Sequence, residues 1–153
     1  MKLYLLQHGT PVPKEENPDR PLSSEGRDDI NRMALFLEKR RVRIEEIFHS
    51  GKSRARQSAE IMISRLSTGA EPTEKDGLSP LDDVSGIAEQ VKGRDKDLMI
   101  AGHLPHLSKL ASLLVTGSES VPIVAFQQGG VVCLSRDKAG AWNVAWMLVP
   151  EII

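Results

Sequence analysis

The chain of 153 residues has one cysteine, six aromatic residues and almost no net charge. A single cysteine excludes an intrachain disulfide, and the position of Cys133 within "VVCLS" favours a packed strand residue over a reactive thiol. The 20 basic and 21 acidic residues leave a net charge of −1, too little for an overall field that holds nucleic acid or an anionic membrane. The scarcity of aromatic rings argues against a base-stacking platform for single-stranded nucleic acid. We therefore expect an aliphatic core and no nucleic-acid or membrane partner.

Long hydrophobic runs are also missing. No apolar run approaches the ~18 residues that span a bilayer, and the four apolar residues 3–6 are fewer than the about 7–15 of a signal-peptide core. We therefore expect a cytoplasmic protein. The length fits one domain over residues 1–153, which is enough chain to bury a sizeable core.

Strand-like and helix-like patterns alternate along the first two thirds of the chain. Short buried runs at 2–6, 46–49 and within 97–103 predict strands, and a minor strand is compatible with the turn-rich region 68–80. Helical spacing predicts helices after Ser23 or Ser24, from near Ser53, over 81–92 and over 104–115. The runs at 122–127, 131–137 and 142–149 favour antiparallel hairpins. The order predicts a three-layer α/β/α sandwich, with a mainly parallel central sheet and antiparallel edge strands.

Three chemically capable side chains follow predicted strands. His8 ends the first strand with Gly9 directly behind it, Arg54 lies in the first residues of the helix after the second strand, and His103 follows the strand within 97–103. In open α/β sheets, ligands bind beyond the carboxyl ends of the strands. Gly9 would allow a ligand to approach the backbone closely. Taken singly, His8 could instead be a core histidine and His103 a helix cap.

The segment "GKSRARQ" places Lys52, Arg54 and Arg56 at the start of a helix. Cations are disfavoured by about 0.3–1 kcal/mol each at the positive end of the helix dipole, unless an anion compensates them. A helix amino terminus with added arginine is well suited to bind phosphate. The alternative is that these side chains simply extend into water.

Four segments, in this order, resemble the histidine phosphatase superfamily, formerly called the phosphoglycerate mutase-like proteins. They are "LLQHG", "RPLSSEG", "SRARQSAEI" and "IAGHLPHL". Within that family, the chain resembles the bacterial SixA-type phosphohistidine phosphatases, from residue 2 to about residue 150. The resemblance implies a phosphoglycerate mutase-like fold without cap insertions, and an enzyme that requires neither a metal nor another cofactor.

The resemblance also implies roles for individual residues. His8 would attack phosphorus and become transiently phosphorylated, while Arg54 and His103 would neutralise the phosphoryl oxygens. Arg20 would line the rim of the pocket. Gln7 stands where the family has an arginine that binds phosphoryl oxygens. The expected activity is hydrolysis of phosphohistidine on a signalling or phosphocarrier protein, with small phosphorylated molecules as other substrates.

Gln7 supports a second hypothesis, in which the chain is a weakly active or inactive module that binds phosphate or a phosphoprotein. A neutral amide donates hydrogen bonds but brings no charge, and loss of one transition-state donor typically lowers a rate about 10²–10³-fold. Lys52, Arg56 or Arg20 could partly compensate.

Two further assignments stay open at the level of the sequence. His8, His103 and His106 could be ligands of a zinc-like metal, a hypothesis that the resemblance makes less attractive. Asp82 or Asp83 could protonate a leaving group, although a helix cap is the more ordinary role for an aspartate there.

Overall fold

The computed structural model describes residues 1–67 and 69–153, so Thr68, which begins the turn-rich region, lies outside the described residues. The strands are β1 Lys2–Gln7, β2 Glu46–His49, β3 Pro72–Glu74, β4 Leu98–Gly102, β5 Val131–Arg136 and β6 Trp142–Leu148. The helices are α1 Ser24–Lys39, α2 Ser53–Leu66, α3 Ser85–Lys92 and α4 His106–Thr116, followed by a 3₁₀ helix at Pro150–Ile152. Within the described residues, no helix is both long and apolar enough to cross a bilayer.

One sheet with the strand order β3-β2-β4-β1-β5-β6 forms the middle layer. The neighbouring strands from β3 to β1 in this order pair in parallel. β5 pairs antiparallel with both β1 and β6. Because side chains alternate along a strand, Leu3 and Leu5 of β1 pack in the core cluster that includes α3 and α4, and Tyr4 and Leu6 pack in the cluster that includes α1 and α2. The predicted α/β/α architecture, with a mainly parallel sheet and an antiparallel edge, is confirmed.

The amphipathic pattern of α1 explains how this helix is placed. The Ser23 hydroxyl oxygen accepts a hydrogen bond from the Gly26 N–H at 3.0 Å, which caps the helix as the sequence predicted. The apolar residues at the predicted spacing are buried: Ile30, Met33, Ala34 and Leu37. Gly26 lets the first turn lie directly on the chain after β1, since an added Cβ would lie 2.1 Å from the Thr10 carbonyl oxygen. The start of α1 therefore backs the segment that follows β1.

Two predicted elements differ in the structure. Residues 122–127, predicted to be a strand, form none; instead Ile123, Val124 and Phe126 pack on the core cluster that contains α4. Pro122 lacks a backbone donor, and these apolar side chains are used to cover the core rather than to form a sheet face. The helix predicted over 81–92 begins only at Ser85, because the Asp83 carboxylate accepts a hydrogen bond from the Ser85 N–H at 2.7 Å and holds a turn before it.

Candidate active site

The ends of β1 and β4 bring two histidines side by side. Gln7 of β1 pairs with Gly102 of β4 in parallel register, so His8 and His103 come next on neighbouring strands. The backbone N–H of His8 continues the pairing by donating to the Gly102 carbonyl at 3.1 Å. The two ring centroids lie 5.0 Å apart with the planes tilted by 57°, close to the ~4.8 Å spacing of adjacent strands.

Hydrogen bonds determine which nitrogen of His8 carries the proton. Nδ1 lies 2.7 Å from the Gly9 carbonyl oxygen, and because a carbonyl only accepts, Nδ1 carries the proton. In the neutral ring, Nε2 is then unprotonated, and it accepts a hydrogen bond from Nε of Arg54 at 3.2 Å. Burial lowers the pKa of His8 to about 4, helped by the charges of Arg54 and Arg20 and opposed by the Gly9 hydrogen bond. At neutral pH, His8 therefore has an available lone pair on Nε2.

Arg54 enters the site from the first turn of α2. The turn from β2 to α2 passes through Gly51, whose φ of +81° is in the left-handed region. The carboxylate of Glu74 packs against this glycine, since an added Cβ would lie 2.4 Å from Glu74 Oε1. Lys52 precedes the helix and makes no side-chain cap. Burial, with a contribution from Arg20, lowers the pKa of the Arg54 guanidinium. The guanidinium is thus partly desolvated beside His8.

His103 lies directly after β4. Its Nε2 is 2.6 Å from the Ser50 hydroxyl oxygen, and its Nδ1 is buried without a hydrogen-bond partner. Burial is the largest cause that lowers the pKa of His103 to about 3, followed by His8, Arg54 and Lys52. The second imidazole is therefore neutral at physiological pH as well.

The charges that act on the two imidazoles come from a small group of cations. Arg54 and Arg20 lower the pKa of His8, and Arg54 and Lys52 lower that of His103. Arg20, whose φ is +49°, directs its Nε to the Val12 carbonyl oxygen at 3.5 Å. The site therefore combines neutral imidazoles with positive charge, which favours an anionic ligand.

Gln7 is the last residue of β1 and is 9% exposed. Its backbone N–H donates to the Gly130 carbonyl at 3.2 Å, and its own carbonyl accepts from the Gly129 N–H at 3.0 Å. The side-chain Oε1 is buried and has no partner. A rotation of the terminal amide would exchange this oxygen for the NH₂ group, which can donate to an oxyanion.

The structure brings together the three side chains that the sequence singled out at strand ends, His8, Arg54 and His103. The charge of Arg20 lowers the pKa of His8 and of Arg54. Arg56 instead pairs with Glu60 at 3.8 Å, one turn further along α2. Both side chains are about half exposed, so this contact does not fix the position of Arg56.

His106 is fully buried at the start of α4. Burial lowers the pKa of its imidazole, and the Gly77 backbone opposes this shift most, followed by the carboxylate of Asp82. Among residues 1–67 and 69–153, no group of three or more His, Cys, Asp or Glu side chains is placed to hold a metal ion. The geometry therefore gives no support to a zinc site at His8, His103 and His106.

Two serines of the site were not singled out from the sequence. Ser50 bonds His103, and the buried Ser58 accepts from the Gly9 N–H at 3.1 Å while donating to the Arg54 carbonyl at 2.7 Å. Both lie in or beside the "SRARQSAEI" segment, and Ser58 follows Arg54 by one helical turn. That i+4 spacing was the available signal, although a serine that bonds the preceding turn of its own helix is common.

Known proteins match both the sequence and the fold. The model of the histidine phosphatase superfamily (branch 1) matches residues 3–101. Phosphohistidine phosphatase SixA of Escherichia coli (strain K12) is 24% identical over 155 residues, covering 98% of this chain and 94% of that protein. The structure of the protein histidine phosphatase SixA complexed with tungstate has a TM-score of 0.85 at 25% identity and covers 99% of both chains. A mycobacterial glucosyl-3-phosphoglycerate phosphatase shares the fold, with a TM-score of 0.69 at 15% identity over 95% of this chain and 97% of that one. The chain belongs to the histidine phosphatase superfamily and is SixA-like in sequence and in fold.

Proposed function

We propose that this phosphatase hydrolyses phosphohistidine on a signalling or phosphocarrier protein through a covalent phosphohistidine intermediate on His8. One observation carries the proposal: the unprotonated Nε2 of His8 lies 3.2 Å from Arg54 Nε, beside the neutral ring of His103. A neutral nucleophile next to a partly desolvated guanidinium suits attack on a phosphoryl dianion.

In the first step, a phosphoryl oxygen takes the guanidinium hydrogen bond that Nε2 of His8 accepts in the free enzyme. The Nε2 lone pair then forms a bond to phosphorus as the bond from phosphorus to the substrate nitrogen breaks. That nitrogen keeps the bonding electron pair, and a substrate imidazole protonated on its other nitrogen leaves as a neutral molecule. The Arg54 guanidinium neutralises charge on the equatorial oxygens during the transfer, and the imidazole of His103 can donate a hydrogen bond to them.

In the second step, water attacks the phosphorus of the phosphorylated His8. The new P–O bond forms as the P–N bond breaks, the electron pair returns to Nε2, and the proton released by water passes to the phosphate product or to solvent. The Gly9 carbonyl holds the Nδ1 proton throughout, at 2.7 Å in the free enzyme. This bond stabilises the positive charge that the ring acquires when it is phosphorylated.

The positions of Asp82 and Asp83 support phosphohistidine over phosphate esters as substrate. Asp82 accepts a hydrogen bond from the Ser79 N–H at 2.8 Å, and Asp83 accepts one from the Ser85 N–H at 2.7 Å, so both serve the turn before α3. Hydrogen bonds from Ser85 hold the pKa of Asp83 below its usual range, so this carboxyl is ionised and has no proton to donate. An alkoxide leaving group needs such a proton, whereas an imidazole does not.

The test is rapid-quench mixing with a protein carrying labelled phosphorus on histidine, stopped with alkali because the P–N bond is acid-labile. Wild type should accumulate label on the enzyme, and His8→Ala should not. His49→Asn is the matched control, since its Oδ1 can still accept the 3.0 Å bond that the Gly51 N–H gives to His49 Nδ1. Equal labelling of wild type and His8→Ala, or faster turnover of an aryl phosphate than of the phosphohistidine protein, would contradict the proposal.

A second candidate function is favoured by Gln7 alone: a module that binds phosphate or a phosphoprotein with little or no turnover. Gln7→Arg discriminates the two functions. If the site is a competent phosphatase short of one charge, the substitution should raise hydrolysis, by up to about 10²–10³-fold. If the site only binds, calorimetry should detect phosphate binding to both forms while hydrolysis stays at background in both.

A further inference from the structure

We infer that Ser58 is a positioning residue that orients His8 and holds it in the tautomer needed for attack, an inference that rests on the proposed role of His8 as nucleophile. Ser58 is fully buried in α2. Its hydroxyl oxygen accepts a hydrogen bond from the Gly9 N–H at 3.1 Å, and its proton goes to the Arg54 carbonyl at 2.7 Å. One hydroxyl thus joins the segment that carries the nucleophile to the residue that carries the guanidinium.

Three consecutive hydrogen bonds link His8 to Arg54. Nδ1–H of His8 donates to the Gly9 carbonyl, the Gly9 N–H donates to Ser58, and the Ser58 hydroxyl donates to the Arg54 carbonyl. Both backbone polar groups of Gly9 are therefore engaged, one by the imidazole and one by Ser58. Because the Gly9 carbonyl selects the tautomer of His8, whatever fixes Gly9 also fixes which ring nitrogen faces a substrate.

Gly9 depends on such contacts more than another residue would. It has no side chain to anchor it, and glycine has the widest choice of backbone conformations. On its other side it packs on α1, where an added Cβ would lie 2.7 Å from the Gly26 carbonyl oxygen. The glycine is thus held between the backbone of α1 and the hydroxyl of Ser58, and removal of the hydroxyl frees one of these two sides.

The proposal predicts a selective defect in Ser58→Ala. The Gly9 N–H would be left without a partner, the Gly9 carbonyl would no longer be held in place, and the His8 ring would sample the other tautomer. We expect phosphoenzyme formation to be about 10- to 100-fold slower, with little change in KM, because misplacement of a reacting group lowers the rate of the chemical step. Ser58→Thr keeps a hydroxyl and should restore most of the rate.

Ser112 offers a matched control. It is also a fully buried serine within a helix, but its hydroxyl has no hydrogen-bond partner. Ser112→Ala should therefore change neither the rate of phosphoenzyme formation nor the state of His8. Ser58→Cys, with a side chain of similar size and a weak hydrogen-bonding capacity, replaces Ser58→Ala in the comparison if that variant does not fold.

The decisive readout is ¹⁵N NMR of the imidazole of His8 in the ligand-free protein, assigned by its loss in His8→Gln. Wild type, Ser58→Thr and Ser112→Ala should show a protonated Nδ1 and an unprotonated Nε2, and Ser58→Ala or Ser58→Cys should show averaged tautomers. A folded Ser58→Ala with an unchanged imidazole spectrum would overturn the inference, as would an altered spectrum with an unchanged rate of phosphoenzyme formation in an active enzyme. If wild type forms no phosphoenzyme while the tautomer still follows Ser58, the proposed function fails and the positioning role stands.

Discussion

The lowered pKa of His8 predicts that phosphoenzyme formation continues at an acidity that would stop an ordinary histidine nucleophile. Burial lowers this pKa from 6.5 to about 4, so the ring becomes charged only well below neutral pH. At pH 5.5, an imidazole with a pKa of 6.5 is about 9% neutral, whereas one with a pKa of about 4 is about 97% neutral. Between pH 7.5 and 5.5 the rate should therefore fall by less than about 2-fold, instead of the roughly 10-fold expected for an unperturbed histidine.

Single-turnover mixing with a labelled phosphohistidine protein, from pH 7.5 to 4.5 and with an alkaline quench, measures this dependence. The substrate imidazole also titrates in the range, so an NMR titration of His8 in the free enzyme separates the two effects. Protonation of His103 in the free enzyme should not lower the rate above pH 4.5, because burial lowers the pKa of this ring to about 3. A half-maximal rate near pH 6.5, together with an NMR midpoint of His8 near 6.5, would refute the argument that burial keeps the nucleophile neutral.

Three further predictions concern stability and charge. Because His8 and His103 have folded pKa values below the unfolded value of 6.5, the unfolded chain binds more protons as the pH falls from 6.5 toward 4, and stability is lost in that window. From pH 7 to 5, each should remove about 2 kcal/mol from the free energy of unfolding, and equal urea midpoints at the two pH values would contradict this. Gly26→Ala should destabilise the protein by about 1–3 kcal/mol, since the new Cβ would lie 2.1 Å from the Thr10 carbonyl oxygen. Alanine is the better helix former by about 1 kcal/mol, so a gain in the urea midpoint would argue against that contact. Arg54→Lys should lower phosphoenzyme formation about 10²–10³-fold at nearly unchanged Tm, because lysine keeps the charge but not the planar set of donors, and a rate within about 3-fold of wild type would count against the proposed role of Arg54.

The central geometry of the site could be predicted because it follows from local patterns. A buried run that ends at His8, another that ends before His103, and a strand–turn–helix signal before Arg54 each place a side chain at the carboxyl end of a strand. Parallel strands bring those ends to one edge of a sheet. The strand order β2-β4-β1 then makes the three positions neighbours. That order is not written in any local pattern, and it was not predicted from the sequence.

The features that the sequence did not predict depend on contacts between distant residues. Ser58 and its partner Gly9 are 49 positions apart, and the i+4 spacing of Ser58 from Arg54 is too common among helical serines to single it out. The segment 122–127 has the composition of a strand, but its apolar side chains Ile123, Val124 and Phe126 cover the core next to α4. In both cases tertiary packing decides the outcome, and intrinsic propensity is too weak to oppose it.

The electrostatics of the site favour an anion at the point where the nucleophile acts. Burial is the largest cause of the lowered pKa of both imidazoles, and it also lowers the pKa of the Arg54 guanidinium without removing its charge at neutral pH. Low polarity strengthens the attraction between that guanidinium and a phosphoryl dianion. A bound dianion would in turn raise the pKa of His103, since an opposite charge favours the protonated form. The donors of Arg54 and the N–H of His103 would therefore share the phosphoryl oxygens, with the positive charge supplied by the guanidinium.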